Sequence, residues 1–216
     1  MRNRLTLLLT VIVPTIAFAQ SGASASSAGA APRLAPGVEL AVNRLADSAR
    51  RRGLPSDPLF AKAAEGALKG ADSTRIVDVV RRLLGELGVA RSALPASAES
   101  AELVAAASAL HAGVTPAQLA RVARIEGGVE RSRSDRLVMP LVVLADLVAR
   151  RVSADVAVSS IEPLLAREAP DAEFANLRTA IERDIANGSS PDAATRARSA
   201  AVVRTLEGRG GGHPPE

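Results

Sequence analysis

The sequence predicts an all-α protein, and three observations carry this prediction: the spacing of apolar residues, the near absence of aromatic side chains, and a recurring type of turn. Apolar residues make up 47% of the 216-residue chain, yet it contains three Phe and no Trp or Tyr. A core of Ala, Leu, Val and Ile suits closely packed helices, whereas strands usually draw on aromatic and β-branched residues. We expect an array or an irregular bundle of short antiparallel helical hairpins, preceded by a cleavable signal peptide.

The clearest helical spacing lies between Asp72 and Leu87, where apolar residues recur at intervals of three and four and form one face. The segment that begins at Asp171 repeats this pattern. Pro140 and Pro163 should each delay or kink a helix, because proline lacks the amide donor. Extended along the chain, the spacing predicts nine helices at 37–52, 56–69, 72–87, 98–112, 115–126, 137–150, 153–168, 171–187 and 190–207.

Four turns between these helices share one chemistry. They are Gly70-Ala71-Asp72-Ser73, Gly113-Val114-Thr115-Pro116, Arg151-Val152-Ser153-Ala154 and Gly188-Ser189-Ser190-Pro191. The first position favours Gly, which takes the left-handed conformation after a helix, and the third holds a residue that caps the next helix. Thr115 and Gln118 predict a capping box, whereas Arg151 predicts a turn that closes differently.

The turns are separated by 43, 38 and 37 residues, a spacing typical of two-helix solenoid repeats. An irregular bundle with short loops would give similar intervals, so the two architectures stay open. Gly53-Leu54 and Gly88-Val89 predict two further helix ends.

The first residues have the three parts of a secretory signal. Arg2 and Arg4 precede an apolar run over Leu5–Val13, and small residues precede a predicted cleavage between Ala19 and Gln20. We therefore expect an exported protein, periplasmic or extracellular after cleavage, with no transmembrane span in the mature chain. The predicted organisation is a signal peptide over 1–19, a flexible Ser/Gly/Ala/Pro-rich linker over 20–36, an all-helical domain over 37–207 and a disordered tail over 208–216.

The charge and cysteine content exclude several functions. The chain has 27 Lys and Arg against 23 Asp and Glu, and two of the basic residues lie in the predicted signal peptide. Nucleic acid is not expected as a partner, because mixed charges with so few aromatic residues do not form a basic stacking surface. Since the chain has no Cys, thiol chemistry and disulfides are excluded.

One cluster is a candidate charged binding site. Lys62, Glu65 and Lys69 are spaced by three and four residues, so they share one helix face, and Lys62 and Lys69 are the chain's two lysines. This cluster could recognise an anionic group, and Gly66 would let a ligand or another backbone approach closely. The alternative is an exposed set of ion pairs of small energetic value.

The arginines suggest a second candidate, a basic patch for anionic lipid or polymer. Its members are Arg50, Arg51, Arg52, Arg81, Arg82, Arg150 and Arg151. The alternative for Arg50, Arg51 and Arg52 is stabilisation of a helix C-terminus by its dipole.

We expect no catalytic residues, no cofactor and no metal site. His111 is the sole histidine of the predicted domain and should stabilise a helix end. The carboxylate pairs Glu126/Glu130 and Glu99/Glu102 are expected on the surface among arginines. The most apolar stretch, 137–148, is expected as a buried central helix, with a docking surface as the alternative.

These observations leave three hypotheses for the function. The first is an exported, noncatalytic interaction or scaffold module that binds another protein of the cell envelope. The second is a peripheral binder of anionic lipid or polymer, and the third is an enzyme of unknown type.

Overall fold

The computed structural model describes residues 34–127 and 136–210, and within these ranges the protein is all-helical, as predicted. Its helices are α1 (Pro36–Arg51), α2 (Asp57–Leu68), α3 (Ser73–Ala93), α4 (Ser100–Ala112), α5 (Pro116–Gly127), α6 (Val138–Ala149), α7 (Ala154–Ala166), α8 (Asp171–Ala186) and α9 (Pro191–Gly210). The predicted signal peptide, most of the linker, Glu130 and the end of the tail lie outside the described residues.

The helices pack mainly against helices two positions away in the chain. α1 contacts α3, α3 contacts α5, α5 contacts α7 and α7 contacts α9, while α4 contacts α6 and α6 contacts α8. The contact between α4 and α6 is the most extensive. Phe174 is the only aromatic side chain in the core of the described residues, which otherwise consists of Ala, Leu, Val and Ile.

Six helix ends close with the same hydrogen bonds. The first or second residue after each of these helices has a positive φ: Gly53, Gly70, Gly113, Arg151, Glu168 and Gly188. At Gly113 the amide donates to Leu110 at 3.0 Å, and the next amide, of Val114, donates to Ala109 at 3.0 Å. This pair of bonds is the Schellman motif, which pairs carbonyl groups that a helix end leaves free.

The expectation that the turn at Arg151 closes differently is wrong. The Arg151 amide donates to Val148 at 2.9 Å and the Val152 amide donates to Leu147 at 3.1 Å, which repeats the bonds at Gly113. Val152 is buried in the core, as are Leu54 and Val114 at the same place in their turns. Burial of the apolar residue that follows therefore imposes the left-handed conformation, although Arg151 has a Cβ that disfavours it.

The predicted helix caps are confirmed at two turns and wrong at a third. The Asp72 carboxylate accepts a 2.8 Å bond from the Arg75 amide, and Thr115 and Gln118 form the predicted capping box. Ser153 makes no side-chain cap and instead donates its hydroxyl to Asp192 at 2.9 Å. The Ser153 hydroxyl bonds to Asp192 and not to its own helix, because the start of α9 lies beside the start of α7.

Helix α3 is longer than predicted, since it passes through Gly88 and ends at Ala93. Its apolar face continues after Gly88 with buried Ala90 and, just beyond the helix, Leu94. Arg91 donates to the carbonyl oxygens of Ala96 and Ala98 at 2.9 and 2.5 Å. These bonds hold the loop between α3 and α4 against Arg91. Helix α3 therefore continues past Gly88 and ends at Ala93.

The predicted central apolar helix is α6, and Leu141, Val143, Leu144 and Leu147 are all fully buried in it. Pro140 lies in the first turn of α6, where its missing amide donor costs no helical bond. Pro163 lies inside α7, which continues past it to Ala166. Among the described helices, none has both the length and the apolar character of a membrane span.

Two glycines in helices provide a matched test of the packing between α2 and α3. A Cβ at Gly66 would lie 2.9 Å from Cγ1 of buried Ile76, whereas a Cβ at Gly85 would meet no atom within 4 Å. We expect Gly85→Ala to raise the free energy of unfolding by about 0.5–1 kcal/mol through helix propensity. Gly66→Ala should give no such gain, because Ile76 must move. Urea unfolding followed by far-UV circular dichroism measures both, and equal stabilisation by the two variants would contradict the close packing.

The strained turn predicts a stabilising substitution. Arg151 has φ 67°, so Arg151→Gly should raise the free energy of unfolding by about 0.5–1 kcal/mol by removing the clash of its Cβ. Arg151→Ala is the control, since it removes the same side chain but keeps the Cβ, and it should give no gain. A matching gain in the alanine variant would assign the effect to charge rather than to backbone conformation.

Candidate functional site

Lys62 and Glu65 on α2 and Lys69 at its C-terminal end come together on one face, as their spacing predicts. Lys62 Nζ lies 2.8 Å from one carboxylate oxygen of Glu65, and Lys69 Nζ lies 2.5 Å from the other. Both lysine ammonium groups therefore share one carboxylate. Lys62 and Glu65 are about two-fifths exposed, whereas Lys69 is 70% exposed.

The two lysines fix the charge of Glu65. Hydrogen bonds from Lys62 and then Lys69, followed by their positive charges, lower the pKa of Glu65 from 4.5 to about 2. The carboxylate is consequently ionised throughout the neutral range, so it serves as a fixed counter-ion and not as a proton donor.

A cleft of about 680 Å³ adjoins this cluster, and we call it the cationic cleft. α2 contributes Lys62 and Glu65 to its lining, and Lys69 directly follows α2. α3 contributes Arg75 and Arg82, and the last turn of α4 contributes His111. Asp72 and the turn at Gly70 also line it, and its apolar lining consists of Ala71, Ile76 and Val79. The cations of α2, of its C-terminal end and of α3 thus line one depression, and α4 adds an imidazole.

The turn between α2 and α3 positions the cleft. Gly70 has φ 68° and its amide donates to Ala67, which ends α2 and reverses the chain. Asp72 then caps α3 through the Arg75 amide. The absent side chain at Gly66 lets Ile76 reach α2, so the close approach predicted there is made by α3 and not by a ligand.

The predicted basic patch does not form one surface. Three of its arginines pair with acids: Arg50 with Asp47 at 2.7 Å, Arg81 with Asp78 at 2.6 Å, and Arg150 with Glu182 at 2.7 Å. Arg81 also lines a small depression with Ala35, Gly37 and Val38, at the opposite end of α1 from Arg50, Arg51 and Arg52. Arg150 and Arg151 lie at the turn between α6 and α7. Only Arg82 joins the cationic cleft.

His111 lies in the last turn of α4, as predicted, but it also has a partner on another helix. Its Nδ1 atom lies 3.0 Å from Oε1 of Glu86 on α3, and its side chain is 60% exposed. The imidazole therefore links the end of α4 to α3 beside the cleft.

The expectation that both acids of the Glu99/Glu102 pair lie on the surface is wrong for Glu102. It is 8% exposed and accepts a 3.0 Å bond from the Glu99 amide and a 3.4 Å bond from the Leu137 amide. Burial follows from its position on the face of α4 that packs against the start of α6. The Glu99–Glu102 bond belongs to a capping box at α4, a structural role.

A second depression is apolar, and we call it the apolar groove. Its volume is about 640 Å³, and Asp57 is its only charged lining residue among the described part of the chain. Its lining consists of Leu54, Pro55, Ser56, Asp57, Pro58, Ser100, Ala101, Val104, Ala105, Ser108, Val138 and Val142. The groove runs along the exposed face of α4, between the starts of α2 and α6.

Sequence reasoning did not place Arg75, Arg82 or His111 with the lysine cluster. These residues lie on other helices, and only the packing of α2, α3 and α4 brings them together. Within residues 34–127 and 136–210, no group of three metal-binding side chains has the arrangement of a metal site.

Comparison with known proteins gives no relative: no family model, no curated protein and no solved structure matches this chain.

The lowered pKa of Glu65 predicts a pH dependence of stability. Its folded pKa of about 2 lies below the reference value of 4.5, so its stabilising contribution is present above about pH 4.5 and is lost as the pH falls towards 2. The urea midpoint of Glu65→Gln, measured by circular dichroism, should therefore fall less over this interval than that of the native chain.

A double variant checks the cause of this effect. Lys62→Gln with Lys69→Gln keeps the carboxylate but removes its partners, and it should lose the same part of the pH dependence as Glu65→Gln. Added salt should weaken the effect in the native chain, because the pairs are exposed to solvent. An unchanged pH profile in the double variant would contradict the pairing.

Proposed function

We propose that the chain is an exported, noncatalytic interaction module that binds another protein of the cell envelope. The observation that carries this proposal is the contact of each odd-numbered helix with the next odd-numbered helix, together with the series α4, α6 and α8. This pattern is typical of helical hairpins added one after another, and such arrays present long surfaces to partners. Export rests on the predicted signal peptide.

Contacts between first turns support the hairpin array. Gln118 on α5 donates to Asp155 on α7 at 2.8 Å, and the Ser153 amide before α7 donates to Asp192 on α9 at 2.8 Å. The starts of α5, α7 and α9 therefore lie side by side. A repeated unit of two helices gives this alignment, because each odd-numbered helix then occupies the same place in its unit.

The apolar groove is the surface that we propose for the partner. The exposed face of α4 offers small side chains there, including Ser100, Ala101 and Ser108, so another chain can approach its backbone closely. Among the described residues, Asp57 is the only charged one that lines the groove. The groove therefore suits an apolar segment of a protein and not a polyanion.

The pairing of titratable groups supports a noncatalytic role. In the cationic cleft, Glu65 is held by two lysines and His111 lies against Glu86. A carboxylate whose pKa is about 2, such as Glu65, is a poor general acid or base, because these groups must exchange protons near the operating pH. The second candidate function is peripheral binding of anionic lipid or polymer, and the positive charge of the cleft favours it.

Affinity capture with the tagged mature chain tests the proposal. The envelope fraction is applied at about 0.1 M and about 1 M salt, between which the Debye length falls from about 10 Å to about 3 Å. We expect a stoichiometric protein partner that survives the higher salt, because apolar contacts are not screened. Bound lipid or polymer that is released at the higher salt would favour the second candidate function.

A matched pair of variants locates the contact. Ala101 and Ala193 are both exposed and both lie in the first turn of a helix, where Glu is well tolerated. Only Ala101 lines the apolar groove, so Ala101→Glu should abolish capture and Ala193→Glu should not. Equal capture by the two variants, or no stoichiometric partner at all, would overturn the proposal.

A further inference from the structure

We propose that the cationic cleft binds a phosphomonoester group. The inference is separate from the binding of a protein partner, since the apolar groove and the cleft share no lining residue within the described part of the chain. It rests on the charges of the cleft, on the arrangement around Glu65 and on the chemistry of the lining side chains.

The first step is the charge balance. Four permanently charged cations line the cleft, namely Lys62, Lys69, Arg75 and Arg82, against the two acids Glu65 and Asp72. Neither Arg75 nor Arg82 has an acidic partner among the described residues. The cleft thus has two positive charges in excess, which matches the charge of about −1.5 to −2 of a phosphomonoester at pH 7.

The second step is the place of Glu65. Its two carboxylate oxygens each accept a bond from one lysine, at 2.8 and 2.5 Å. These are the positions at which two oxygen atoms of a bound anion would pair with the same ammonium groups. Glu65 is therefore an internal anion that holds the lysines in a binding arrangement and competes with a ligand for them.

The third step is the choice of ligand. Arginine forks bind two phosphate oxygens at once, and lysines supply point charges to the remaining oxygens. Among the described residues, no Phe, Tyr or Trp lines the cleft, so a nucleotide base would have none of these rings to stack on. The volume of about 680 Å³ exceeds that of a phosphate alone, so a small polar group that carries the phosphate also fits.

The start of α3 is not the binding group. Asp72 already accepts the Arg75 amide there at 2.8 Å, and its carboxylate repels a second anion at that helix end. The side chains of α2 and α3 form the site instead, with Arg82 two turns into α3 and remote from the helix end.

The test is a titration of the mature chain with glycerol 3-phosphate at low ionic strength, followed by backbone amide chemical shifts. We expect saturable shifts in α2 and α3 with a dissociation constant of about 1 mM or below. Acetate at the same concentration, which carries one charge and no tetrahedral group, should bind more weakly.

Neighbouring arginines provide the matched control. Arg82→Gln removes an unpaired cation of the cleft and should weaken binding about tenfold. Arg81→Gln removes a cation of the same helix that pairs with Asp78 outside the cleft, and it should leave the affinity unchanged. Glu65→Gln should tighten binding, because the competing carboxylate is gone, which is the opposite of the result expected if Glu65 merely stabilised the fold.

Vesicles distinguish two sources of the phosphomonoester. Binding to phosphatidylcholine vesicles that contain phosphatidic acid, reversed by glycerol 3-phosphate and lost in Arg82→Gln, would support the proposal with a lipid headgroup as the source. Binding of glycerol 3-phosphate without vesicle binding would support it with a soluble ligand. Absence of saturable binding, or equal loss in Arg81→Gln and Arg82→Gln, would overturn it.

Discussion

The structure depends on close contact between helices whose core side chains are small. With one aromatic side chain in the described core and no disulfide, stability must come from apolar area buried between Ala, Leu, Val and Ile. The clearest case is α4, where Ala105, Ala106, Ala107 and Ala109 are all buried and where the contact with α6 is the most extensive. Small side chains let helix axes approach closely, so each helix must begin and end at a defined position beside its neighbours.

That constraint explains why the turns are so uniform. At five of the six Schellman closures the residue after the left-handed position lies in the core or packs against it, and at three of these it is a buried Leu or Val. After Gly188 this residue is Ser189, which is exposed. The cost of a left-handed Arg151 is smaller than the gain from burying Val152, which is about 1.5–3 kcal/mol for a side chain of this size. Glu168 shows the same balance, with φ 50° ahead of partly buried Ala169.

The fold could be predicted well from the sequence wherever the signal was local. Helical spacing located the helices, and the capping chemistry of Asp72 and Thr115 was confirmed because a cap depends on residues three apart. The errors at Gly88, Arg151 and Glu102 have another origin. In each case a contact with a distant residue or the burial of a neighbour overrides a local preference, and no local pattern encodes that contact.

The same distinction applies to the candidate site. The contact of Lys62, Glu65 and Lys69 followed from spacing on one helix. The addition of Arg75, Arg82 and His111 required the close packing of α2 on α3 that Gly66 permits. The arginines proposed for the basic patch are dispersed because neighbouring arginines in sequence point in different directions on a helix. Arg81 faces the start of α1, whereas Arg82 faces the cleft.

Several cations of the described chain are paired with an acid on another helix, and these pairs bear on the cleft. Examples are Arg121 with Glu162, Arg167 with Glu207 and Arg198 with Asp184. The Arg198 guanidinium holds the pKa of Asp184 below its usual value through two 2.6 Å bonds. Arg75 and Arg82 could have been matched by acids in the same way at little cost, since exposed pairs need only a nearby carboxylate. Their unpaired state in a depression, beside a carboxylate already held by two lysines, leaves positive charge that a bound anion would neutralise.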